Sequence, residues 1–509
     1  MTSSMDLRQA KARSRAARGE GHVPIDTRKP DPRTGSLGAR FVGTNGSARR
    51  ILDPKNPLAC ARALVAEEFI HEGHRTLHRY RGLFYRWNGA CYEPVDQEAI
   101  RAQAWTFLAA SFTEPRSDLY LPIRPTRSTV SDLLDALAAV TNLSATLQAP
   151  CWLAEADARP AATEFVVVQN GLLHLPTGDL YDPTAAFFGF NATGISFDAE
   201  ARAPAAWLSF LDTIFTRDEG GIDVEAQEAL QDWFGYCLLP DTGQQKILLL
   251  VGPPRSGKGT VMSILKEVVG RNNVVAPTLD GLGSPFGLEP LIDKTLAVVG
   301  DARLSGRADQ APIVENLLSI SGEDIRTINR KYMPSWTGQL PTRFFISTNL
   351  VPRLTDESGA LAKRFIIVTL DQTFLGREDL DLKSRLLNDL PGILNWARDG
   401  YLRLRERRRF VQPSSGAEAI EDLETLSSPI TAFLRAKCEV GAGYEVEVDR
   451  FFQAWKGWCE AEGRQNAGTK NQLGRDLKSV LPAVKTVQHR SHGSVDRYYA
   501  GIRLKYGVE

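Results

Sequence analysis

The chain has 509 residues, more than one hydrophobic core usually serves, so two to four domains are expected. Its 61 Lys and Arg residues balance 61 Asp and Glu residues, which excludes a protein that binds nucleic acid through an overall basic field. Six cysteines stand far apart without a Cys-x-x-Cys pair, which argues against a zinc ribbon or a secreted disulfide framework. With no signal-peptide core and no apolar run of about eighteen residues, the sequence predicts a cytoplasmic protein with no membrane partner.

The first segment, residues 1–50, is a basic arm. It holds eleven Lys and Arg residues against four Asp and Glu residues, with many small residues and few large apolar ones. Such a composition cannot bury enough apolar surface to order the chain, so we predict a disordered arm. A contact with nucleic acid and a merely solvated tail are both open for it.

A second segment, residues 51–200, has the mixed pattern of an α+β domain. The aromatic-rich strand Leu83–Trp87 is followed by Asn88 and Gly89 and then by another strand-like run, which predicts a β-hairpin. We find no metal-binding or catalytic cluster in this segment.

The third segment, residues 201–412, begins with helices and then alternates strands and helices, as an α/β sheet does. A glycine-rich loop follows its first apolar strand and opens a helix, which is the order that a phosphate-binding loop requires. Backbone N–H groups of such a loop, the helix N-terminus and the lysine attract the β- and γ-phosphates of ATP. The loop residues are Gly252, Pro253, Pro254, Arg255, Ser256, Gly257, Lys258, Gly259 and Thr260.

The metal contact of this loop departs from the usual pattern. Ser or Thr normally follows the lysine directly and holds Mg²⁺, whereas here Gly259 intervenes and the hydroxyl arrives at Thr260. A second apolar strand ends at Gly300 and Asp301, and a carboxylate there can hold Mg²⁺ and orient the attacking water. A third strand ends at Asn349, whose amide is a candidate sensor of the γ-phosphate. We therefore predict Thr260 and Asp301 as the Mg²⁺ ligands.

The last segments are an acidic linker, residues 413–428, and a domain of residues 429–509. Three predicted helices and a hairpin in the latter are the elements of a winged helix. Basic residues cluster on its third helix and hairpin, which suits phosphate contacts with DNA, although a solvated charged face is an equal alternative. The candidates on the helix are Lys470, Arg475 and Lys478.

Between the strands that end at Asp301 and Asn349, eight residues separate Gly322 from Lys331, and Arg330 stands next to the lysine. This arrangement resembles the extra motif of superfamily 3 helicases, in which a hairpin carries a basic tip into the central channel of a ring. The resemblance implies that Arg330 and Lys331 contact single-stranded DNA.

Beyond Asn349, residues 350–353 (Leu-Val-Pro-Arg), Asp356, Gly359 and 363–365 (Lys-Arg-Phe) resemble the phage and plasmid primase-helicase family, which is related to the poxvirus nucleoside triphosphatase. In that family an arginine at the position of Arg364 acts on the ATP of the neighbouring subunit. The resemblance implies an α/β fold with an AAA+-like P-loop ATPase core, a helicase-associated domain over residues 51–200 and a C-terminal winged helix.

The resemblance implies an ATP-dependent, ring-forming DNA helicase that acts in the replication of a phage, plasmid or integrated element. It is expected to be a hexamer with 3′ to 5′ polarity. Single-stranded and forked DNA are the expected partners, with a separate primase or other replication proteins beside them. Many relatives in this family carry an N-terminal primase domain whose site needs paired metal-binding carboxylates. No segment of domain length precedes the helicase-associated region at residue 51, so we expect no primase chemistry.

Two other functions stay open on the sequence. An ATP-switched, DNA-binding replication initiator or loader would use the same motifs with little unwinding. The second is a phosphotransferase, since the phosphate loops of nucleoside monophosphate kinases resemble this one, in which glycine and threonine follow the lysine.

Overall fold

The computed structural model describes residues 40–42, 49–154, 159–190, 192–302, 310–352, 354, 356, 359–462, 467–491 and 494–505. They form two compact units, the first drawn from Met1–Asn88, Tyr92–Gln148 and Trp152–Arg159 and the second from Gly89–Cys91, Ala149–Cys151 and Pro160–Glu509. Among the described residues, no helix combines the length and the apolar composition needed to cross a bilayer.

In its described residues, the first unit packs three helices against short sheets that are mostly antiparallel. Its elements are β1 (Arg40–Val42), β2 (Arg49–Ile51), α1 (Pro57–Glu68), β3 (Ile70–His71), β4 (His74–Arg75), β5 (Leu77–Tyr80), β6 (Leu83–Trp87), β7 (Tyr92–Val95), α2 (Gln97–Ala109), β8 (Phe112–Arg116), β9 (Leu119–Pro122) and α3 (Arg127–Val140). Side chains of Asn56, Asp96 and Thr126 accept backbone N–H groups and so cap the three helices. The strands β6 and β7 pair antiparallel on either side of the predicted Asn-Gly turn.

Part of the predicted basic arm belongs to this unit. The strand β1 pairs with β2, and Arg50 of β2 forms an ion pair with Glu67 and donates to the carbonyl of Phe107 at 3.2 Å. The pairing of β1 with β2 and the contacts of Arg50 with two helices therefore order residues 40–42 and 49–50, and local composition does not reveal these partners. The rest of the arm, residues 1–39 and 43–48, lies outside the described residues.

The second unit contains the predicted α/β segment. The short strand β10 (Cys151–Trp152) has one residue in each unit. The elements of the second unit from there to residue 407 are β11 (Phe165–Val168), β12 (Gly171–His174), β13 (Asp179–Tyr181), β14 (Phe187–Phe188), α4 (Ala205–Ile214), α5 (Val224–Tyr236), β15 (Ile247–Val251), α6 (Lys258–Val269), β16 (Val274–Val275), α7 (Leu279–Leu282), β17 (Leu296–Val299), α8 (Gln310–Ser321), β18 (Arg326–Arg330), β19 (Met333–Gly338), β20 (Arg343–Thr348), β21 (Phe365–Thr369), α9 (Leu382–Asn388) and α10 (Leu390–Arg407).

A five-stranded parallel sheet with the order β16-β17-β20-β15-β21 forms the centre of this unit. Alternate residues of β15 point to opposite faces: Leu248 and Leu250 pack with α4, α5, α6 and α10, whereas Ile247 and Leu249 pack with α7 and α8. Burial on both faces explains why the strand is a continuous apolar run, which is typical of parallel sheets. The protein is thus of mixed α/β class.

Residues 160–200 differ from the predicted domain organisation. We predicted them as the end of the N-terminal domain, but the structure places them in the second unit. The strands β11 and β12 bury Val166, Val168 and Leu173 in the same hydrophobic cluster as Trp207 of α4. The sequence pattern predicted these strands but not the helices against which they pack.

The C-terminal part of the second unit contains α11 (Ala417–Ser427), α12 (Pro429–Lys437), β22 (Cys438–Glu447), α13 (Val448–Ala461), α14 (Lys470–Val480), β23 (Lys485–Ser491) and β24 (Ser494–Leu504). The helix α11 covers most of the segment predicted as a linker, and its Leu423 is fully buried in the cluster below the central sheet. The predicted three helices and hairpin are present, and an unpredicted strand, β22, completes a sheet of order β22-β24-β23.

Candidate nucleotide-binding site

The predicted phosphate loop connects β15 to α6 at the carboxyl end of the central sheet. Gly257 has a φ of +94° and stands before the helix, and a Cβ there would lie 2.8 Å from Ile214 Cγ2. A Cβ on Gly252 would lie 2.9 Å from both Leu370 Cβ and its carbonyl oxygen. Both glycines of the motif are therefore required by backbone conformation or by close packing.

Lys258, the first residue of α6, folds into the loop and is only 9% exposed. Its ammonium donates to the carbonyl oxygens of Gly252 and Pro253, both at 2.7 Å, and to Ser256 Oγ at 3.2 Å. Burial lowers the pKa of Lys258, and the nearby Asp301 carboxylate opposes that shift. The cation therefore lies inside the loop and beside a carboxylate, where the oxygens of a triphosphate are suitable acceptors.

Asp301 and Asn349 lie at the same edge of the sheet as the loop. The Gly252 N–H donates to the carbonyl of Thr348 at 3.2 Å, so Asn349 directly follows a residue bonded to the loop. The Ala302 N–H donates to the carbonyl of Ser347 at 3.2 Å, which places Asp301 beside the end of β20. Asp301 and Asn349 are both exposed. The parallel register thus brings the three predicted side chains, including Lys258, to one edge.

Thr260 and Gly259 lie in the first turn of α6. Thr260 is half-buried, and its N–H donates to the carbonyl of Gly257 at 3.0 Å. Gly259 is exposed, and nothing lies within 4 Å of a Cβ built on it. The hydroxyl of Thr260 and the carboxylate of Asp301 are hard oxygen donors suited to Mg²⁺ in combination with phosphate oxygens. The residue after the lysine is thus an open position where the usual hydroxyl is missing.

The outer side of the loop is held by the segment after β21. Thr373 Oγ1 donates to the carbonyl of Pro254 at 2.8 Å, and the Phe374 N–H donates to the carbonyl of Arg255 at 3.0 Å. Arg255 also lies 3.6 Å from a carboxylate oxygen of Glu378. These contacts fix Pro254 and Arg255 and leave the inner side of the loop to Lys258.

An arginine that the sequence did not single out lies at this edge as well. Arg217 donates to Thr369 Oγ1 at 3.1 Å and to Asp371 at 3.0 Å, and it also pairs with Asp223. Thr369 is opposite Val251 in the sheet, next to the loop. No local motif marks Arg217, because its partners are six and about 150 residues away in the chain.

Arg364 lies at the opposite edge of the sheet, in the 3₁₀ turn Ala362–Arg364 before β21. Its guanidinium donates to Gln245 Oε1 at 2.5 Å and to the carbonyl of Ser321 at 3.2 Å. The five-residue strand β15 between this edge and the phosphate loop is about 13 Å long. The fold therefore does not bring Arg364 together with Lys258 of the same chain.

The predicted basic hairpin consists of β18 and β19, which begin five residues after Ser321 and so at the Arg364 edge. Lys331 is exposed at the tip, while Arg330 is half-buried and its guanidinium contacts Met333 Sδ at 2.9 Å. Lys331 is thus the better placed of the two for an external phosphate.

The C-terminal candidates lie on one helix, α14. Lys470, Arg475 and Lys478 are all exposed, while Leu473 and Leu477 of the same helix are buried. Lys470 forms an ion pair with Asp449 of α13. The amphipathic helix therefore presents Arg475 and Lys478 on its outer face, with the charge of Lys470 partly compensated.

Comparison with known proteins gives the following matches. Residues 250–364, from the end of β15 to Arg364, match a family of unknown function (DUF5906). The A form of the apo NrS-1 C-terminal region is 12% identical, with a TM-score of 0.46, over 87% of this chain and 99% of that one. A second apo structure of the NrS-1 C-terminal region is 12% identical, with a TM-score of 0.48, over 88% of this chain and 99% of that one. A further A-form structure of that region is 13% identical, with a TM-score of 0.46, over 88% of this chain and 100% of that one.

Proposed function

We propose that the protein is an ATP-dependent DNA helicase of the superfamily 3 type, working as a ring in the replication of a phage, plasmid or integrated element. The observation that carries the proposal is the division of the site between two edges of one sheet. Lys258, Asp301 and Asn349 lie at the carboxyl edge, whereas Arg364 and the basic hairpin lie at the amino edge. A motor that hydrolyses ATP at one place and grips DNA at another needs such a division.

At the carboxyl edge this chain has the groups that phosphoryl transfer requires. Lys258 and the loop amides would hold the β- and γ-phosphates, and Thr260 with Asp301 would hold Mg²⁺, which when bound would neutralise charge on the transferring phosphate. The exposed amide of Asn349 orients the attacking water or contacts the γ-phosphate. Positioning and electrostatic stabilisation account for most of the catalysis of such a reaction.

Arg364 completes the site of a neighbouring subunit. It is bound at the amino edge of its own sheet by Gln245 and Ser321, about 13 Å or more from its own loop. A guanidinium supplied to the transferring phosphate is worth about 10³-fold or more in rate. A closed ring, with each Arg364 facing the loop of the next chain, is the assembly that uses this residue.

The contacts of Arg364 also connect the two activities. Ser321, whose carbonyl accepts from Arg364, ends α8 just before the hairpin, and Gln245 Nε2 donates to the carbonyl of Gly322 at 3.4 Å. When Arg364 turns towards the ATP of a neighbour, it must release these groups. The Ser321 carbonyl before the hairpin then loses its bond to Arg364, and Gln245, which contacts Gly322, loses its bond to Arg364 as well. Hydrolysis at one subunit thereby alters the DNA contact of the next.

Mixed rings test the shared site. Lys258→Ala and Arg364→Ala subunits should each hydrolyse ATP poorly, and rings mixed from both should recover part of the rate, because some interfaces pair an intact loop with an intact arginine. Verified mixed rings without recovery would contradict the shared site. Forked-duplex unwinding by the native protein tests the motor itself, and Lys331→Ala should abolish it.

The same experiments separate the other candidate functions. ATP hydrolysis with DNA binding but without unwinding would favour a replication initiator or loader that uses the exposed Arg475 and Lys478 of α14. Transfer of phosphate to a nucleoside monophosphate would favour a kinase.

A further inference from the structure

The tip of the β18–β19 hairpin carries an aromatic ring beside its lysine. Tyr332 follows Lys331 in the two-residue turn between the strands. Its relative exposure of 103% is the highest among the described large apolar side chains. A fully hydrated ring at the end of a projecting hairpin contributes no burial to the fold, so its position is free to serve a ligand.

The backbone at Tyr332 has an unusual conformation. Tyr332 has a φ of +59°, in the left-handed region that aromatic residues rarely adopt. The turn lies between Arg330 and Met333, which are paired across the hairpin, and a register irregularity stands between Ile328 and Arg330. Tyrosine therefore occupies a position where glycine or asparagine would be less strained, which is typical of a functional rather than a structural choice.

Neighbouring residues hold the tip in place. The Lys331 N–H donates to Glu289 Oε2 at 3.3 Å, and the Lys331 ammonium lies 5.8 Å from the centroid of the Phe286 ring. Phe286 is itself exposed. The tip is thus pre-organised, which lowers the entropy lost when a ligand binds it.

We propose that Tyr332 stacks on a base of single-stranded DNA while Lys331 contacts the adjacent phosphate. This inference rests on the proposed function, since it names how the hairpin holds the strand. An aromatic face next to a cation is the combination that binds single strands, because every base offers a π-face and every nucleotide a negative charge. Duplex DNA would offer Tyr332 no free base face, because its bases are already stacked on each other.

A substitution that removes the ring must preserve the left-handed backbone conformation of residue 332. Tyr332→Asn removes the aromatic face while asparagine accepts the left-handed conformation, and Tyr332→Phe keeps the face without the hydroxyl. Leu380→Asn is a matched control, since Leu380 is also highly exposed, at 92%, but lies outside the hairpin. Both positions are open enough for the three variants to fold.

The probe is a pair of fluorescent single strands, an oligothymidylate and an abasic strand with the same number of phosphates, bound in the presence of a non-hydrolysable ATP analogue. Tyr332→Asn should weaken binding of the oligothymidylate by about 5- to 150-fold and leave the abasic strand unchanged, because stacking needs a base. Tyr332→Phe and Leu380→Asn should bind both strands as the native protein does.

Three outcomes overturn parts of the account in different ways. Equal weakening of both strands by Tyr332→Asn would mean that the substitution displaces Lys331 from its phosphate contact, and it would overturn the stacking. Unchanged oligothymidylate binding by this variant, with a native protein that binds well, would also overturn it while leaving the proposed function intact. A native protein that binds neither strand would overturn the proposed function itself.

Discussion

The phosphate loop contains two glycines whose replacement by alanine should have opposite effects. Gly257 combines a φ of +94° with a site where a Cβ would lie 2.8 Å from Ile214 Cγ2 and 3.2 Å from Phe210 Cζ. Gly259, two residues later, lies inside α6 with open space around its Cβ. The two substitutions add the same methyl group to the same loop, so each controls for the other.

The magnitudes follow from backbone and packing. Left-handed backbone costs an alanine about 1–2 kcal/mol, and overpacking against α4 costs about 1–3 kcal/mol, partly offset by about 0.4–1 kcal/mol from the less flexible unfolded chain. Gly257→Ala should therefore destabilise the second unit by about 2–4 kcal/mol. Gly259→Ala should stabilise it by about 0.5–1 kcal/mol, because alanine is favoured over glycine inside a helix.

Urea unfolding, monitored by tryptophan fluorescence, measures the difference in stability between the two variants. Trp207 is a suitable reporter, since its ring centroid lies 5.6 Å from that of Phe210 in the same core. Binding of a fluorescent ATP analogue should be lost in Gly257→Ala and kept in Gly259→Ala. Equal unfolding midpoints for the two variants, or native nucleotide affinity in Gly257→Ala, would refute the account of the loop.

Three further predictions concern the metal, the link between the two edges and the first unit. Gly259→Ser should lower the Mg²⁺ concentration needed for half-maximal ATP hydrolysis, because it places a hydroxyl in the open position directly after the lysine; an unchanged or higher requirement would count against that geometry. Gln245→Ala should reduce the stimulation of hydrolysis by DNA more than basal nucleotide binding, since Gln245 joins Arg364 to the carbonyl of Gly322, and stimulation at the native level would disprove the link. Burial, with a smaller contribution from Arg75, lowers the pKa of His78 to about 3. Below pH ~6.5 the unfolded state therefore binds a proton that the folded state does not bind. The free energy of unfolding should fall by about 2 kcal/mol between pH ~7.5 and pH ~5. His78→Phe should show a smaller fall over that range in urea unfolding, and an unchanged pH dependence would contradict the assignment.

The carboxyl edge was predictable because its groups follow from local patterns. A glycine loop after an apolar strand predicts Lys258, and the next strands in a parallel sheet end at the same edge, which predicts Asp301 and Asn349. The parallel registers of β15 and β17 with β20 bring these three positions together, so no specific side-chain contact has to be read from the sequence.

The contacts of Arg364 and Arg217 were not predictable in the same way. Arg364 bonds to Gln245 and Ser321, which precede it by 119 and 43 residues, and none of these pairs has a characteristic spacing. The ion cluster of Arg217 likewise joins the segment after α4 to the end of β21. Such partners are set by the tertiary fold, and the sequence provides only their residue types.

The grouping of residues 160–200 with the second unit was not predictable for a related reason. The strands at residues 165–174 have a clear apolar pattern, but burial against α4 and α5, rather than the pattern, assigns them to the second unit. The strand β22 carries Gly441 and Gly443 at a register irregularity and has a largely exposed side, so alternation in it is weak. Apolar periodicity predicts an element well and its packing partner poorly.

ATP hydrolysis by the purified protein with and without single-stranded DNA tests the central claim most directly. If the loop edge and the hairpin edge belong to one motor, single-stranded DNA should raise the rate, and Lys331→Ala should remove that rise while Lys258→Ala removes hydrolysis altogether. Hydrolysis by the native protein that is indifferent to single-stranded DNA, or no hydrolysis at all, would contradict the account.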